Sequence, residues 1–132
     1  MMRILVLSLP VLFLCSCATL STRDTEQMSG VSPEARPVAT LLLAVQKNDM
    51  GAFKSLYSSR MKPIVEEQGW RVALEKYRTL FAEEFGNYQL ADFTFSYSGD
   101  NTSGHVHITF RDKQMGELRV TRENSEWKLD EK

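Results

Sequence analysis

The amino-acid sequence predicts an α+β fold in which N-terminal helices pack on one face of a curved antiparallel sheet. Two observations predict it. Apolar residues recur at helical spacing from about residue 37 to residue 85, whereas after Gly86 they alternate with polar residues, as in half-buried strands. An antiparallel sheet with one polar face needs a cover on its apolar face, and the upstream helices can supply that cover.

The helical part divides into short segments followed by one long helix. The first helix begins near Pro37, a favourable first-turn residue, and its apolar stripe comprises Val38, Leu41, Leu42 and Val45. Asn48 or Asp49 is the expected N-cap of a second helix, whose inner face comprises Met50, Phe53, Leu56 and Tyr57. The polar stretch of residues 58–63 breaks the pattern, and Ile64 and Val65 add at most a partial turn before Gly69.

The longest predicted helix runs from about Trp70 to Phe85 and ends at Gly86. One of its faces carries Trp70, Ala73, Leu74, Tyr77, Phe81 and Phe85, while charged residues occupy the others. We expect this face to cover the aromatic strand formed by Phe93, Phe95 and Tyr97, which presents the only comparable apolar surface in the sequence.

Four short strands complete the prediction. Their inward positions are Phe93, Phe95 and Tyr97, then Val106, Ile108 and Phe110, then Leu118 and Val120, and finally Trp127 and Leu129. Turn-forming clusters at residues 98–104, 112–116 and 124–125 separate them. Because such short turns join neighbouring antiparallel strands, we expect a meander.

Two segments carry a resemblance to a known family. They resemble the cystatin-like folds of the nuclear transport factor 2 superfamily, in particular its small bacterial lipoproteins. Residues 47–53 (KNDMGAF) are similar to the short-helix junction of that superfamily, and residues 127–129 (WKL) are similar to its closing strand. The resemblance covers about residues 37–129 and implies a pocket between helices and sheet. Enzymes of the superfamily, such as ketosteroid isomerases, place acids and a tyrosine there. Their catalytic positions do not align with this chain, so no catalytic residue is carried over.

The N-terminus has the pattern of a secretory signal peptide over residues 1–16. Arg3 precedes an apolar run over residues 4–14, which is too short for a transmembrane helix of ~20 residues and is interrupted by Pro10. The Leu14-Cys15-Ser16-Cys17 sequence resembles the lipobox of bacterial lipoproteins, which implies cleavage before Cys17 and its lipidation with fatty acyl groups. Cys15 is the alternative acceptor, but it would place bulky Leu14 at the cleavage site.

The signal peptide sets the expected location. Ala18, a residue without negative charge, follows the lipidated cysteine; in lipoproteins of outer-membrane bacteria this implies anchoring in the outer membrane, facing the periplasm. In an organism with one membrane it would mean surface anchoring only. Residues 17–35 are polar and aperiodic after Cys17, as in a flexible tether, and residues 36–132 form the expected domain. Cys15 and Cys17 are the two cysteines of the chain, so a processed protein would have no free thiol.

Composition narrows the expected partners. The formal net charge of the 132 residues is −1, and acidic and basic residues are interspersed. Nucleic-acid binding requires a concentrated basic surface, which this pattern lacks. The expected contacts are the membrane, through the anchor at Cys17, and a small apolar ligand or another envelope protein.

Candidate ligand-binding residues are the aromatic side chains Trp70, Tyr77, Phe81 and Phe95, which could line an apolar cavity between the long helix and the sheet. Ordinary core packing is the simpler explanation for most of them, and the cavity is the alternative. Asp92 with Tyr77 or Tyr97 could imitate an isomerase site, but Asp92 alternates out of phase with the apolar strand positions. No catalytic residue is therefore assigned.

The side chains of His105 and His107 project from the same face of one strand, and two histidines at this spacing can bind zinc or copper. Because the neighbouring apolar residues occupy the other face and no third ligand is placed nearby, we expect surface histidines, no metal and no cofactor. The sequence thus predicts a non-catalytic, lipid-anchored envelope protein. The alternative is a ketosteroid-isomerase-like enzyme with a buried acid in the helix–sheet pocket, and an acid at the base of that pocket would favour it.

Overall fold

The structure, a computed structural model, describes residues 28–131. It contains helices α1 (Arg36–Lys47), α2 (Met50–Ser55), α3 (Met61–Gln68) and α4 (Trp70–Phe85), and short 3-10 turns at Pro33–Ala35 and Leu90–Asp92. The strands are β1 (Phe93–Gly99), β2 (Ser103–Phe110), β3 (Lys113–Glu123) and β4 (Glu126–Leu129). Within these residues no helix combines the length and the apolar character needed to cross a bilayer. The predicted signal peptide and Cys17 lie outside the described residues.

The predicted α+β fold class is confirmed. The strands form a curved, unclosed antiparallel sheet in the order β1-β2-β3-β4, and the helices precede it, an arrangement compatible with a nuclear transport factor 2-like fold. The strand register places Tyr97 opposite Val106 and Val106 opposite Leu118, so the alternating apolar residues share one face. The other face carries pairs such as His107 and Glu117. The predicted meander is therefore correct in its order and in its two faces.

The turns differ from the prediction in two places. The sequence places one turn at residues 98–104, but β1 continues to Gly99 and β2 begins at Ser103. It places another at residues 112–116, but β3 already begins at Lys113. Arg111 and Asp112 have positive φ angles of 47° and 66°, and so do Asn124 and Ser125, at 48° and 67°. Two consecutive positive φ angles match the right-handed twist of the flanking strands, so two residues suffice for each of these turns.

Helix α1 buries more residues than the four of its predicted apolar stripe. Its buried residues are Pro37, Val38, Ala39, Leu41, Leu42, Leu43, Ala44 and Val45. The physical reason is its position, because α1 contacts α2, α4 and β4 together and so becomes the centre of the core. Asn48, in the left-handed region at φ 54°, ends α1, and Asp49 caps α2 by accepting the Ala52 N–H at 3.1 Å.

The chain is already packed before α1. Ala35 is only 1% exposed, and Met28 and Val31 lie against the core. The sequence places the domain boundary at residue 36 because residues 28–35 contain few apolar residues in no regular period. A single buried alanine and two partly buried side chains leave no periodic signal in a sequence.

Helix α4 contacts the sheet mainly through its C-terminal residue. The Phe85 ring lies 4.9 Å from the Phe93 ring and 5.0 Å from the Phe110 ring, measured between centroids. Trp70 and Tyr77 instead contact Phe53 of α2, at 6.2 and 6.0 Å. The expectation that Trp70 and Tyr77 cover the aromatic strand is wrong, because both rings pack on Phe53 of α2 instead.

Candidate functional site

A groove of about 890 Å³ lies between α3 and α4. Its apolar wall includes Ile64, Val72 and Leu80, which are 41%, 59% and 46% exposed. These are the exposed large hydrophobic side chains of the described residues, and all of them line this one groove. Scattered exposed apolar residues are ordinary on protein surfaces, but apolar residues gathered in a concave site indicate a binding site.

The groove exists because α3 forms a complete helix where the sequence predicts a partial turn. Pro63 lies in the first turn of α3, where a missing N–H removes no helical hydrogen bond. Gly69 ends α3, donating its N–H to the Val65 carbonyl at 2.9 Å, and its φ of +98° lets α4 begin at the next residue. Ile64 of α3 therefore faces Val72 and Leu80 of α4 across the groove.

Two tyrosines and a glutamate form the polar floor of the groove. Tyr57, Tyr77 and Glu131 line it, and the two tyrosine hydroxyls are near enough to affect each other's pKa. Burial raises the pKa of both hydroxyls, and the negative charge of Glu131 raises them further. Both tyrosines are therefore neutral hydrogen-bonding groups at physiological pH.

Glu131 is held at the floor by the edge of β3. Its Oε1 accepts the Arg119 backbone N–H at 2.8 Å, and the preceding Asp130 donates its own N–H to the Arg119 carbonyl at 3.0 Å. The chain thus continues alongside β3 beyond the end of β4. This continuation directs the Glu131 carboxylate towards the tyrosine pair.

The neighbouring Asp130 anchors the chain end. It is 6% exposed and accepts hydrogen bonds from Ser58 Oγ at 2.6 Å and Arg60 Nε at 3.1 Å, while Arg119 Nε lies 3.6 Å away. Burial alone would raise the pKa of Asp130, but these hydrogen bonds and positive charges outweigh it and lower the pKa below 3.8. Because Tyr57 precedes Ser58 and Glu131 follows Asp130, this anchor positions both floor residues.

A smaller cavity of about 250 Å³ lies on the other side of α4, against α1, β2 and β3. Its lining includes Phe81, Ile108 and Leu118, so it corresponds to the predicted position between the long helix and the sheet. Tyr77 and Leu80 line both this cavity and the groove. These two side chains are therefore the partition between the two spaces.

The predicted ligand-binding residues are distributed over several places. Tyr77 lines the groove and the cavity, Phe81 lines the cavity, and Trp70 packs on Phe53 and Tyr57 at 6.2 and 5.8 Å. Phe95 stacks on Phe93 at 6.3 Å and lines a separate hollow of about 350 Å³ beside β1. Ring contacts thus link Trp70, Tyr77 and Phe81, and Phe95 joins the far end of this series through Phe85 and Phe93.

The other candidates lie away from the groove. Asp92 accepts the Gln89 N–H at 2.9 Å and lies 3.5 Å from Arg111, as a cap of a 3-10 turn. The Tyr97 hydroxyl donates to the Asp100 carbonyl. His107 lies 3.2 Å from Glu117 on the polar sheet face. Within residues 28–131, no three His, Cys, Asp or Glu side chains are arranged to hold a metal ion.

Sequence reasoning missed Glu131 and the role of Tyr57. Glu131 lies two positions after Leu129, so continued strand alternation would have placed it on the inner face, but the prediction ended the strand at Leu129. Tyr57 was expected on an inner helical face, and nothing in the sequence signals that its hydroxyl lies near that of Tyr77.

Comparison with protein-family models, curated proteins and solved structures finds no match to this chain. Functional inference therefore starts from the groove, its apolar wall and its polar floor.

Proposed function

We propose that this chain is a lipid-anchored cell-envelope protein whose domain binds a small apolar ligand, without catalysis, in the groove between α3 and α4. The observation that carries the proposal is the gathering of Ile64, Val72 and Leu80, all exposed, in one groove. Each Å² of apolar surface removed from water contributes about 25 cal/mol, so covering these side chains favours binding.

The dimensions of the groove support a small molecule as occupant. Small-molecule sites usually have volumes of roughly 300–1,000 Å³ and combine apolar walls with a few polar groups. The groove, at about 890 Å³, has such walls and a floor of two tyrosines and one glutamate. The alternative occupant of the groove, which the sequence analysis also allows, is another envelope protein.

The proposed setting is the bacterial outer membrane, with the domain facing the periplasm and anchored through Cys17. Residues 18–27 separate the anchor from the first described residue, and fully extended they reach roughly 35 Å. This distance lets the groove face lipids and other amphiphiles near the membrane surface. Nucleic acid is not a proposed partner, because the net charge of −1 provides no basic surface.

A fluorescent apolar probe, N-phenyl-1-naphthylamine, tests the binding proposal. The chain from residue 18 onward keeps all described residues and should enhance the fluorescence of the probe. Leu80→Glu should weaken the affinity at least about ten-fold, because it places a charge in the apolar wall. Ala82→Glu is the matched control, since Ala82 is an exposed residue of α4 that does not line the groove. Equal affinities of the two variants would contradict the groove as the site.

One observation favours the alternative function, a ketosteroid-isomerase-like enzyme. Glu131 is an acid at the base of the groove, next to the hydroxyls of Tyr57 and Tyr77. In such a reaction a carboxylate moves a proton between two carbons while a phenol stabilises the enolate. Absorbance of the conjugated product from a β,γ-unsaturated ketosteroid measures this activity. Turnover that Glu131→Gln abolishes would favour the enzyme over the binding protein.

A further inference from the structure

The charged residues around the groove are mostly acidic. The groove is lined by Glu75, Glu83 and Glu131 and by one basic residue, Lys76. Glu75 is already paired with Arg78 at 2.9 Å, on the solvent side of α4. Glu83 and Lys76 are exposed residues of the same helix, so Glu131 is the charge that lies at the floor.

The charge of Glu131 is not neutralised by an ion pair within the described residues. Its carboxylate accepts a hydrogen bond from the uncharged backbone N–H of Arg119, and its backbone carbonyl accepts one from Arg60 Nη2 at 3.3 Å. The carboxylate with which the guanidinium groups of Arg119 and Arg60 form ion pairs is that of Asp130, at 3.6 and 3.1 Å. A ligand that covers the floor therefore covers a carboxylate that has no cationic partner there.

This carboxylate discriminates between ligand head groups. An anionic head would be repelled by it, and an uncharged head would remove water from it without supplying a countercharge, which is costly. An ammonium head would supply the countercharge. The tyrosine pair is compatible with such a head, because the phenolic oxygens of both groove-lining tyrosines have lone pairs that accept hydrogen bonds.

The apolar wall fits the remainder of such a molecule. Val72 and Leu80 are eight residues apart on α4, which corresponds to about 12 Å along the helix axis. Ile64 of α3 lies across from them. An extended hydrocarbon chain would contact all three side chains while its head reaches the floor.

We propose that the groove binds amphiphiles with a cationic, ammonium-type head, with the head at Glu131, Tyr57 and Tyr77 and the hydrocarbon chain along Ile64, Val72 and Leu80. This inference rests on the proposed binding function and adds the chemical class of the ligand. Lys76 at the rim opposes it only weakly, because an exposed lysine is flexible and screened by solvent.

Calorimetric titration with three dodecyl amphiphiles tests the head group. The trimethylammonium, maltoside and sulfate forms share one chain and differ in head charge, and each is used below its micelle concentration with the chain from residue 18 onward. We expect the ammonium form to bind about ten-fold more tightly than the maltoside, and the sulfate to bind most weakly.

Two variants test whether Glu131 causes the preference for the ammonium head group. Glu131→Gln should reduce the affinity for the ammonium form about ten-fold and leave that for the maltoside unchanged. Glu66→Gln is the matched control, since Glu66 is an exposed residue of α3 that does not line the groove, and it should change neither affinity by more than about two-fold. Urea melts show whether Glu131→Gln is folded, and if it is not, the comparison of the three amphiphiles on the unmodified protein still decides.

The outcomes separate this inference from the proposed function. Equal affinity for the ammonium and maltoside forms, or tighter binding of the sulfate, would overturn the cationic head while leaving an amphiphile-binding groove. Absence of binding by all three amphiphiles would overturn both proposals.

Discussion

Leu80 and Phe81 are consecutive residues of α4 with opposite environments. Leu80 is 46% exposed and lines the groove, whereas Phe81 is 8% exposed and contacts the rings of Tyr77 and Phe85 at 5.4 and 5.3 Å. A binding site built on a folded core requires such a division, because residues that bind ligand must face solvent and residues that support them must not. Substitution of Phe81 should therefore affect the stability of the fold, whereas substitution of Leu80 should affect ligand binding.

Phe81→Ala should lower the free energy of unfolding by ~3–5 kcal/mol, because it removes a buried ring and leaves a cavity. Leu80→Ala should change it by no more than ~0.5 kcal/mol, as is usual at exposed positions. Urea melts of the two variants and the unmodified chain measure both values. Similar losses in the two variants would show that Leu80 belongs to the core and that the groove wall is wrongly assigned.

At the scale of elements, the groove depends on one helix, α3, that the sequence does not predict. Residues 58–63 contain serines, charges and Pro63, a composition typical of a break, so α3 was expected as a partial turn. Its formation depends on tertiary packing of Met61 and Val65, which are both buried. By contrast, α4 was predicted with its observed ends, because its apolar stripe is long and Gly86 follows it.

The anchor at Asp130 joins the chain end to the segment after α2, and it predicts a pH dependence. The pKa of Asp130 is lowered in the folded protein, so the carboxylate contributes stability fully above its ordinary value of 3.8 and loses that contribution as the pH falls below it. Asp130→Asn should cost about 1.5–3 kcal/mol near neutral pH, as loss of hydrogen bonds to a charged group does.

Urea melts of the Asp130→Asn variant at pH 7 and at pH 3 measure this dependence. The difference from the unmodified chain should shrink at the lower pH. Glu126→Gln is the control, because Glu126 is 72% exposed and its pair with Lys128 contributes little. A deficit of the Asp130→Asn variant that stays the same at both pH values would show that the charge of Asp130 does not stabilise the anchor.

For the whole molecule, the fold class was predictable and the site was not. The change from helical to alternating periodicity predicts helices followed by an antiparallel meander, because the apolar residues of the long helix and of the four strands recur at the spacing of their buried faces. The floor of the groove combines Tyr57, Tyr77 and Glu131, which come from three separate parts of the chain. Their proximity depends on the packing of α3 and on the chain continuing beyond β4, and no local pattern encodes either.

Membrane attachment is a prediction for the whole protein. Cys17→Ser should abolish incorporation of a radioactive fatty acid and release the protein from the membrane fraction. A single acyl chain anchors a protein only marginally, so stable attachment depends on the several chains that lipoprotein processing adds to this one residue. Label retained in the Cys17→Ser variant would move the acceptor to Cys15 or refute lipidation.

An amide-resolved nuclear magnetic resonance titration with dodecyl maltoside locates the binding surface without relying on any variant. If the groove is the site, the largest shifts fall on the amides of Ile64, Val72 and Leu80, while those of His105 and Thr121 on the polar sheet face stay unchanged. Shifts concentrated on that sheet face, or the absence of shifts at millimolar amphiphile, would contradict ligand binding between α3 and α4.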